Sequence, residues 1–266
     1  SWTDWDKLAA ASVAGHLIEC GAQVTGAYSN RWRGMRLTDV GYPIAEIESD
    51  GQTVITKPAG TGGVVDRRSV VEQLIYEIGD PRHYLTPDVD VDFTSVEVAD
   101  LGNDRVRVTG ARGSAAPRHY KVSLAYRAGY TTSGQLLVYG DDALEKAQAC
   151  GEMILERLAR AGCRPAHANI ELLGAGAAVP SQPDAARSGT AEEVMLRVTV
   201  RDQRRESVER FTKEFAPLIT SGPAGLAGYA TARSPVRPVM AYWPTLVPRE
   251  LVTARVRVQS ASTWLG

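Results

Sequence analysis

The run Thr56-Lys57-Pro58-Ala59-Gly60-Thr61-Gly62-Gly63 constrains this chain more than any other, because it sets three glycines in four positions between a predicted strand and a predicted helix. Glycine reaches left-handed dihedrals without steric cost, and a glycine-rich turn lets peptide N–H groups approach a ligand closely. With Lys57 at its start, the arrangement suits an anion such as a phosphate or a carboxylate. A P-loop Lys follows its glycines and is trailed by Ser or Thr, and a dinucleotide fingerprint opens its helix at once, so neither motif is present. A glycine-rich connection with a solvated Lys is the equal rival of the anion-binding reading.

Downstream, Ser69-Val70-Val71-Glu72 has the form of a capping box and predicts a helix through Gln73-Leu74-Ile75-Tyr76-Glu77. Upstream, Trp5, Leu8, Ala9, Val13, Leu17 and Ile18 recur at helical spacing behind a Thr3-to-Asp6 cap, which predicts an amphipathic helix over 3–19 that stops at Gly21. Strands at 42–48 and 53–56 flank Asp50-Gly51, and runs at 95–99 and 105–110 flank Leu101-Gly102-Asn103-Asp104, so two hairpins are expected. From about residue 119 the pattern changes. Strands at 119–126 and 134–139 precede a helix from Asp142 to Gly162, strands at 169–173 and 193–201, a helix at 204–216, and strands at 236–246 and 251–258. The fold class expected is α/β to α+β: a mixed sheet carrying the glycine-rich loop over 1–118, then a split βαβ order (βαββαβ, ferredoxin-like) over 119–266. The small-residue stretch 174–190 reads as a surface loop.

A chain of 266 residues, 44% hydrophobic and 23% charged, is long and apolar enough to bury a sizeable core. Thirty Lys and Arg against 31 Asp and Glu give no basic footprint for nucleic acid and no polybasic membrane patch. Cys20, Cys150 and Cys163 are an odd number at wide spacing, and His16, His83, His119 and His167 form no ligand pair, so neither a zinc site nor a disulfide frame is indicated. No apolar run approaches membrane-helix length, and the acidic, aromatic start is not a signal peptide, so a reduced cytoplasmic setting is expected.

His16, Glu19 and Cys20 form the second candidate site, since residues three and four apart share a helix face. The negative end of the helix dipole disfavours a thiolate at Cys20, which makes Glu19 the more economical general base and His16 its orienting partner. The alternative is a satisfied core histidine beside a small buried cysteine. Arg112, within Gly110-Ala111-Arg112-Gly113, sits where it can clamp a carboxylate or cap a turn. Asp80, Asp88, Asp90 and Asp92 lack the repeated ligand pattern of a calcium loop and read as solvated acids. Ser221 to Gly228 is a second anion-contacting loop or a plain connection.

Long stretches of the chain resemble the acyclic terpene utilisation proteins. The resemblance runs through Trp5-Asp6, Ala14 to Gly26 with His16, Glu19 and Cys20, Gly41 to Glu46, Ile55 to Gly63, Gln73 to Pro81, Tyr84 to Val89, Gly110 to Gly113 and Pro244 to Leu251. It implies a cytoplasmic protein of branched terpenoid breakdown, a pathway whose intermediates are CoA thioesters. It further implies an N-terminal α/β half lying ahead of the position of Ser1, hence a protein partner supplying that half, and an oligomeric assembly. The Gly222–Gly228 loop is less glycine-rich than the family's usual version. On this basis an enzyme of hydratase, lyase or isomerase type is expected, acting on an anionic acyl-CoA or carboxylate with no other cofactor. Lys57 and the loop Gly60, Thr61, Gly62 and Gly63 would hold the anionic or enolate oxygen while Glu19 or His16 moves the proton. Two alternatives stand beside it: a non-catalytic subunit, and a processed chain using Ser1 as an N-terminal nucleophile.

Overall fold

The computed structural model describes residues 3–178, 191–228, 233–260 and 263; Ser1 lies outside the described residues, as does most of the loop expected at 174–190. The chain divides into two compact units, one made of 1–123 with 244–266 and the other of 124–243. The C-terminal stretch thus belongs with the first unit. It is fastened there by Arg249, whose amide donates to the Arg118 carbonyl and whose guanidinium lies 4.5 Å from the Tyr120 ring.

In the first unit, helix α1 (Trp5–Glu19) precedes the hairpin β1 (Ile44–Ile47) and β2 (Thr53–Thr56), helix α2 (Arg67–Leu74), strands β3 (Tyr84–Leu85) and β4 (Val89–Asp92), the hairpin β5 (Glu97–Gly102) and β6 (Arg105–Thr109), and β7 (Arg112–Ala115). The strands make two antiparallel sheets, β1-β2-β6-β5 and β3-β4-β7. Ala9, Val13 and Leu17 of α1 pack with Ile55, Val106 and Val108 of one sheet and with Val89, Val91 and Phe93 of the other, so a single helix supplies the apolar filling for both. The capping chemistry differs from expectation. Asp6 turns away from its own helix and accepts from the Gly113 amide at 2.9 Å, and the N-cap of α2 is Asp66, with Ser69 as the reciprocal third residue of the capping box. Asp66 serves better because its carboxylate also binds Arg31, as described below.

Both expected hairpins form. Gly51 (φ 95°) closes the first. Asn103 and Asp104 close the second, both at positive φ (50° and 56°), the geometry of a type I′ turn that matches strand twist.

Strand β8 (His119–Tyr139) begins in the first unit and continues into the second as one element where two strands were expected. Gly129 (φ 96°) permits the continuity: a Cβ there would stand 2.5 Å from the Asp202 carbonyl oxygen. Then follow α3 (Ala143–Arg160), β9 (His167–Leu173), β10 (Glu193–Asp202), α4 (Arg205–Phe211), α5 (Phe215–Ser221), β11 (Leu226–Gly228) and β12 (Arg237–Pro248). The sheet order is β11-β8-β10-β9, antiparallel throughout, with β12 also pairing β8. Alternate residues Val194, Leu196, Val198 and Val200 of β10 bury one face against Ala147, Cys150, Ile154 and Leu158 of α3. The helix expected at 204–216 is two, α4 and α5. The break falls at Glu214, a fully buried carboxylate that binds Arg157 (2.7 Å) and Arg210. The strand expected at 251–258 does not form; a 3-10 turn at Arg249–Leu251 leads into chain without regular structure. Valine alternation alone makes no strand without a neighbouring ladder.

Candidate functional site

Glycine is required in the 60–63 loop for a reason different from ligand approach. A Cβ on Gly62 would lie 1.9 Å from the Arg36 carbonyl oxygen, and one on Gly63 would lie 2.3 Å from that of Thr25. The amides of Thr61, Gly62 and Gly63 donate to the carbonyls of Pro58, Asp39 and Arg36, at 3.4, 3.0 and 3.1 Å. The loop is therefore pressed against residues 25 and 36–41, and these three donors are engaged by the chain itself, which corrects the expectation that they await an anion.

Lys57 does stand at the turn. Its ammonium donates to the Thr61 carbonyl at 2.9 Å and pairs with Asp104 at 3.0 Å, leaving the side chain 5% exposed. The other Asp104 oxygen accepts from the Val65 amide at 2.8 Å, so the type I′ turn of the β5–β6 hairpin holds both ends of the loop. Around the loop opens a shallow depression of about 730 Å³ rimmed by Arg31, Arg33, Arg36 and Lys57. Arg31 grips Asp66 through two bonds (2.7 and 3.0 Å), and this guanidinium holds the Asp66 carboxyl below the ordinary carboxylate range. Arg36 binds Asp39 at 2.8 Å and the Gly60 carbonyl. Arg33 stacks on Trp32 at 4.9 Å and has no carboxylate partner among the described residues.

The other candidate centre lies at the C-terminal end of α1. His16 is buried, with Nε2 3.0 Å from the Gln73 carbonyl oxygen and Nδ1 3.0 Å from Glu19 Oε1. Gln73 returns the bond through its amide to the His16 carbonyl at 3.0 Å, tying α1 to α2. Because a carbonyl oxygen can only accept, Nε2 is the donor to Gln73, and Nδ1 faces the Glu19 carboxyl. The edges of Tyr84 and Phe93 pack on the imidazole at 5.8 and 5.7 Å. Burial, with the charges of Glu19, Glu77 and Cys20 adding to it, raises the Tyr84 phenol above its ordinary range; Glu77 does the same to Tyr76. The Tyr84 phenol therefore remains a neutral hydrogen-bond donor near a Glu19 side chain that is 54% exposed, whereas the Tyr76 hydroxyl is hydrogen-bonded to Glu77.

His16, Glu19 and Cys20 are thus brought together, while Arg112 is not placed with them. Arg112 is exposed at the start of β7, whose next residue binds Asp6, and α1 from residue 6 to residue 16 spans about 15 Å. Gln73, Tyr84 and Asp104 are missed by sequence reasoning. The first two act across two elements, and only the Asn-Asp pair in a hairpin signalled a turn for Asp104. Among the described residues, no group of three or more His, Cys, Asp or Glu is disposed to hold a metal. Asp90 instead pairs with His83 at 3.0 Å, and Asp92 accepts from Thr94.

A helix-and-sheet first unit with a buried imidazole bonded to a half-exposed carboxylate and a basic loop has a counterpart at the level of sequence. The sequence model of the family described as acyclic terpene utilisation family protein AtuA matches residues 1–258, and the chain belongs to that family. Neither the curated protein sequences nor the solved structures give a match. Among the described residues no helix is long and apolar enough to cross a membrane.

Proposed function

We propose that this chain contributes the proton-transfer site of a hydratase, lyase or isomerase acting on a carboxylated or CoA-thioester substrate in acyclic terpenoid utilisation. The observation that carries the proposal is the Glu19 carboxylate, half exposed yet oriented by an imidazole whose other nitrogen is anchored to Gln73. Glu19 takes or delivers the proton, His16 is the positioning residue, and the neutral phenol of Tyr84 donates a hydrogen bond to oxygen charge developing on the substrate. Lys57, Arg33 and the 60–63 loop give the anionic end of the substrate a basic surface; there the cations, not the loop amides, carry the attraction. Reversible addition of water, or a proton shift next to a thioester carbonyl, needs no cofactor besides the CoA thioester itself. The protein acts in the cytoplasm and within an oligomer.

Turnover of branched α,β-unsaturated acyl-CoA thioesters, followed by loss of their conjugated absorbance, tests the assignment. Glu19→Gln should lower kcat by about 10²–10⁴-fold with little change in binding. Wild-type kcat in Glu19→Gln, on a substrate the native protein turns over, eliminates Glu19 as the proton carrier.

A second reading, a non-catalytic subunit of a larger assembly, is favoured by one observation. Between the charged ends of α1 (Asp6, Lys7 and Glu19) its exposed positions are Ala11, Gly15 and Ile18, and Tyr28 and Ile75 are also exposed. A stable chain that copurifies with nothing from its native host would remove this reading.

A further inference from the structure

In the second unit a cavity of about 300 Å³ opens between α4, α5 and the middle of β8, and none of its residues takes part in the chemistry proposed above. Its floor follows from strand alternation. Gly134 and Leu136, two residues apart, face the helices: Leu136 packs with Phe211 in the core, and a Cβ on Gly134 would stand 2.2 Å from the Phe215 ring. The two phenylalanine rings meet edge to face at 5.1 Å, so the space beside them is bounded by aromatic surface.

Burial is graded around the wall. Phe211 and Leu136 are buried, whereas Ala216, Ile219 and Arg233 are exposed. A molecule inside therefore finds apolar contacts at depth and a cation at the mouth. Among the described residues Arg233 is the one charged side chain of the wall, and it has no carboxylate partner. The chain next to it is tied down, since the buried Thr132 hydroxyl donates to the Pro235 carbonyl at 3.1 Å. A guanidinium without a partner attracts an anion, and its planar fork matches a carboxylate.

We propose that this cavity binds an apolar monocarboxylate, its carboxylate on Arg233 and its chain against Phe211, Phe215 and Leu136. At roughly 30 Å³ per water-sized group, the volume takes about ten non-hydrogen atoms, the size of an eight-carbon acid. Burial of the chain supplies most of the affinity, and exposed Arg233 sets the orientation and rejects cations. All the lining residues belong to the second unit, so the site works without Glu19 or Lys57.

Isothermal titration calorimetry of the whole chain with sodium octanoate, at two temperatures so that a small enthalpy cannot hide binding, tests this. Octanoate should bind at one site per chain, with an enthalpy that becomes more negative on warming as apolar surface is buried. Octylammonium should bind at least about tenfold more weakly, and Arg233→Glu should reverse that preference. Ala216→Trp, at an exposed position of the rim, should abolish binding of both while leaving the thermal midpoint unchanged. Glu19→Gln should leave octanoate binding as it is, which keeps this test apart from that of the proposed function. Absence of saturable octanoate binding at both temperatures overturns the proposal. So does octanoate binding indifferent to both Arg233→Glu and Ala216→Trp, which would assign it to another surface, and so does binding lost in Glu19→Gln, which would place the ligand in the first unit.

Discussion

Each unit is stabilised internally by different means. In the second, the core is a repeated contact between one strand and one helix: Val194, Leu196, Val198 and Val200 against Ala147, Cys150, Ile154 and Leu158. In the first, an apolar core of similar kind is supplemented by polar clasps that reach across the sequence: His16 with Gln73, Arg31 with Asp66, Lys57 with Asp104, Asp6 with Gly113. Periodic burial stabilises without fixing loops. Polar clasps add little net stability each but fix the position of particular side chains; the second unit has its own in Glu214 with Arg157 and in Glu171 with Arg197, while those of the first unit hold the candidate site residues.

Three substitutions would break or sharpen this contrast. Leu196→Ala removes a fully buried side chain from the second unit's strand–helix contact and should cost about 2–5 kcal/mol, read as a lowered urea midpoint. A loss much below that range would mean that the second unit, too, depends on something other than packing. Asp104→Asn keeps an acceptor for the Val65 amide while leaving the Lys57 ammonium with only a carbonyl partner. Because Asp104 is 36% exposed, the expected cost is about 1–2 kcal/mol, below that of a deeply buried pair. Adding Lys57→Met should recover part of it, and a double mutant as unstable as the sum of the singles would show that the pair is not coupled. The smallest effect belongs to His83, whose bond to Asp90 raises the imidazole above its ordinary 6.5. A raised folded value means that the contribution is fully present below pH 6.5 and disappears as pH rises through the folded value. The stability deficit of His83→Ala should therefore shrink toward zero on moving from mildly acidic to alkaline buffer; a deficit constant across that range would refute the electrostatic origin.

The same division explains what could be read from the sequence. The second unit's strand alternation and the 3.6-residue period of α3 are local signals, and they located most of its elements, apart from the joining of two runs into β8, the splitting of one helix at buried Glu214, and the short β11 within a stretch read as a loop. In the first unit α1, α2 and the two hairpins were legible, but the short strands β3, β4 and β7 were not and the strand expected at 251–258 does not form; the demand for glycine at 62 and 63 was legible. Their purpose was not, because the carbonyls that forbid a Cβ there belong to Thr25 and Arg36. The start of α2 was misplaced by three residues for a related reason: Ser69 has cap chemistry, but Asp66 has cap chemistry and a distant arginine as well. His16 and Glu19 were readable as a pair from their spacing alone. That a glutamine 57 positions away in sequence would fix the ring was not.

The tight bend at Asn103 and Asp104 has one more effect. Both residues take left-handed backbone, so the Asp104 carboxylate is presented to Lys57 from the tip of the β5–β6 hairpin. A lysine ammonium has three hydrogens, and on Lys57 two are already directed at Thr61 and Asp104. An anion arriving at the depression has to share the third or draw the whole hairpin outward, so occupancy there would be felt along the ladder as far as β2, to which β6 is bonded.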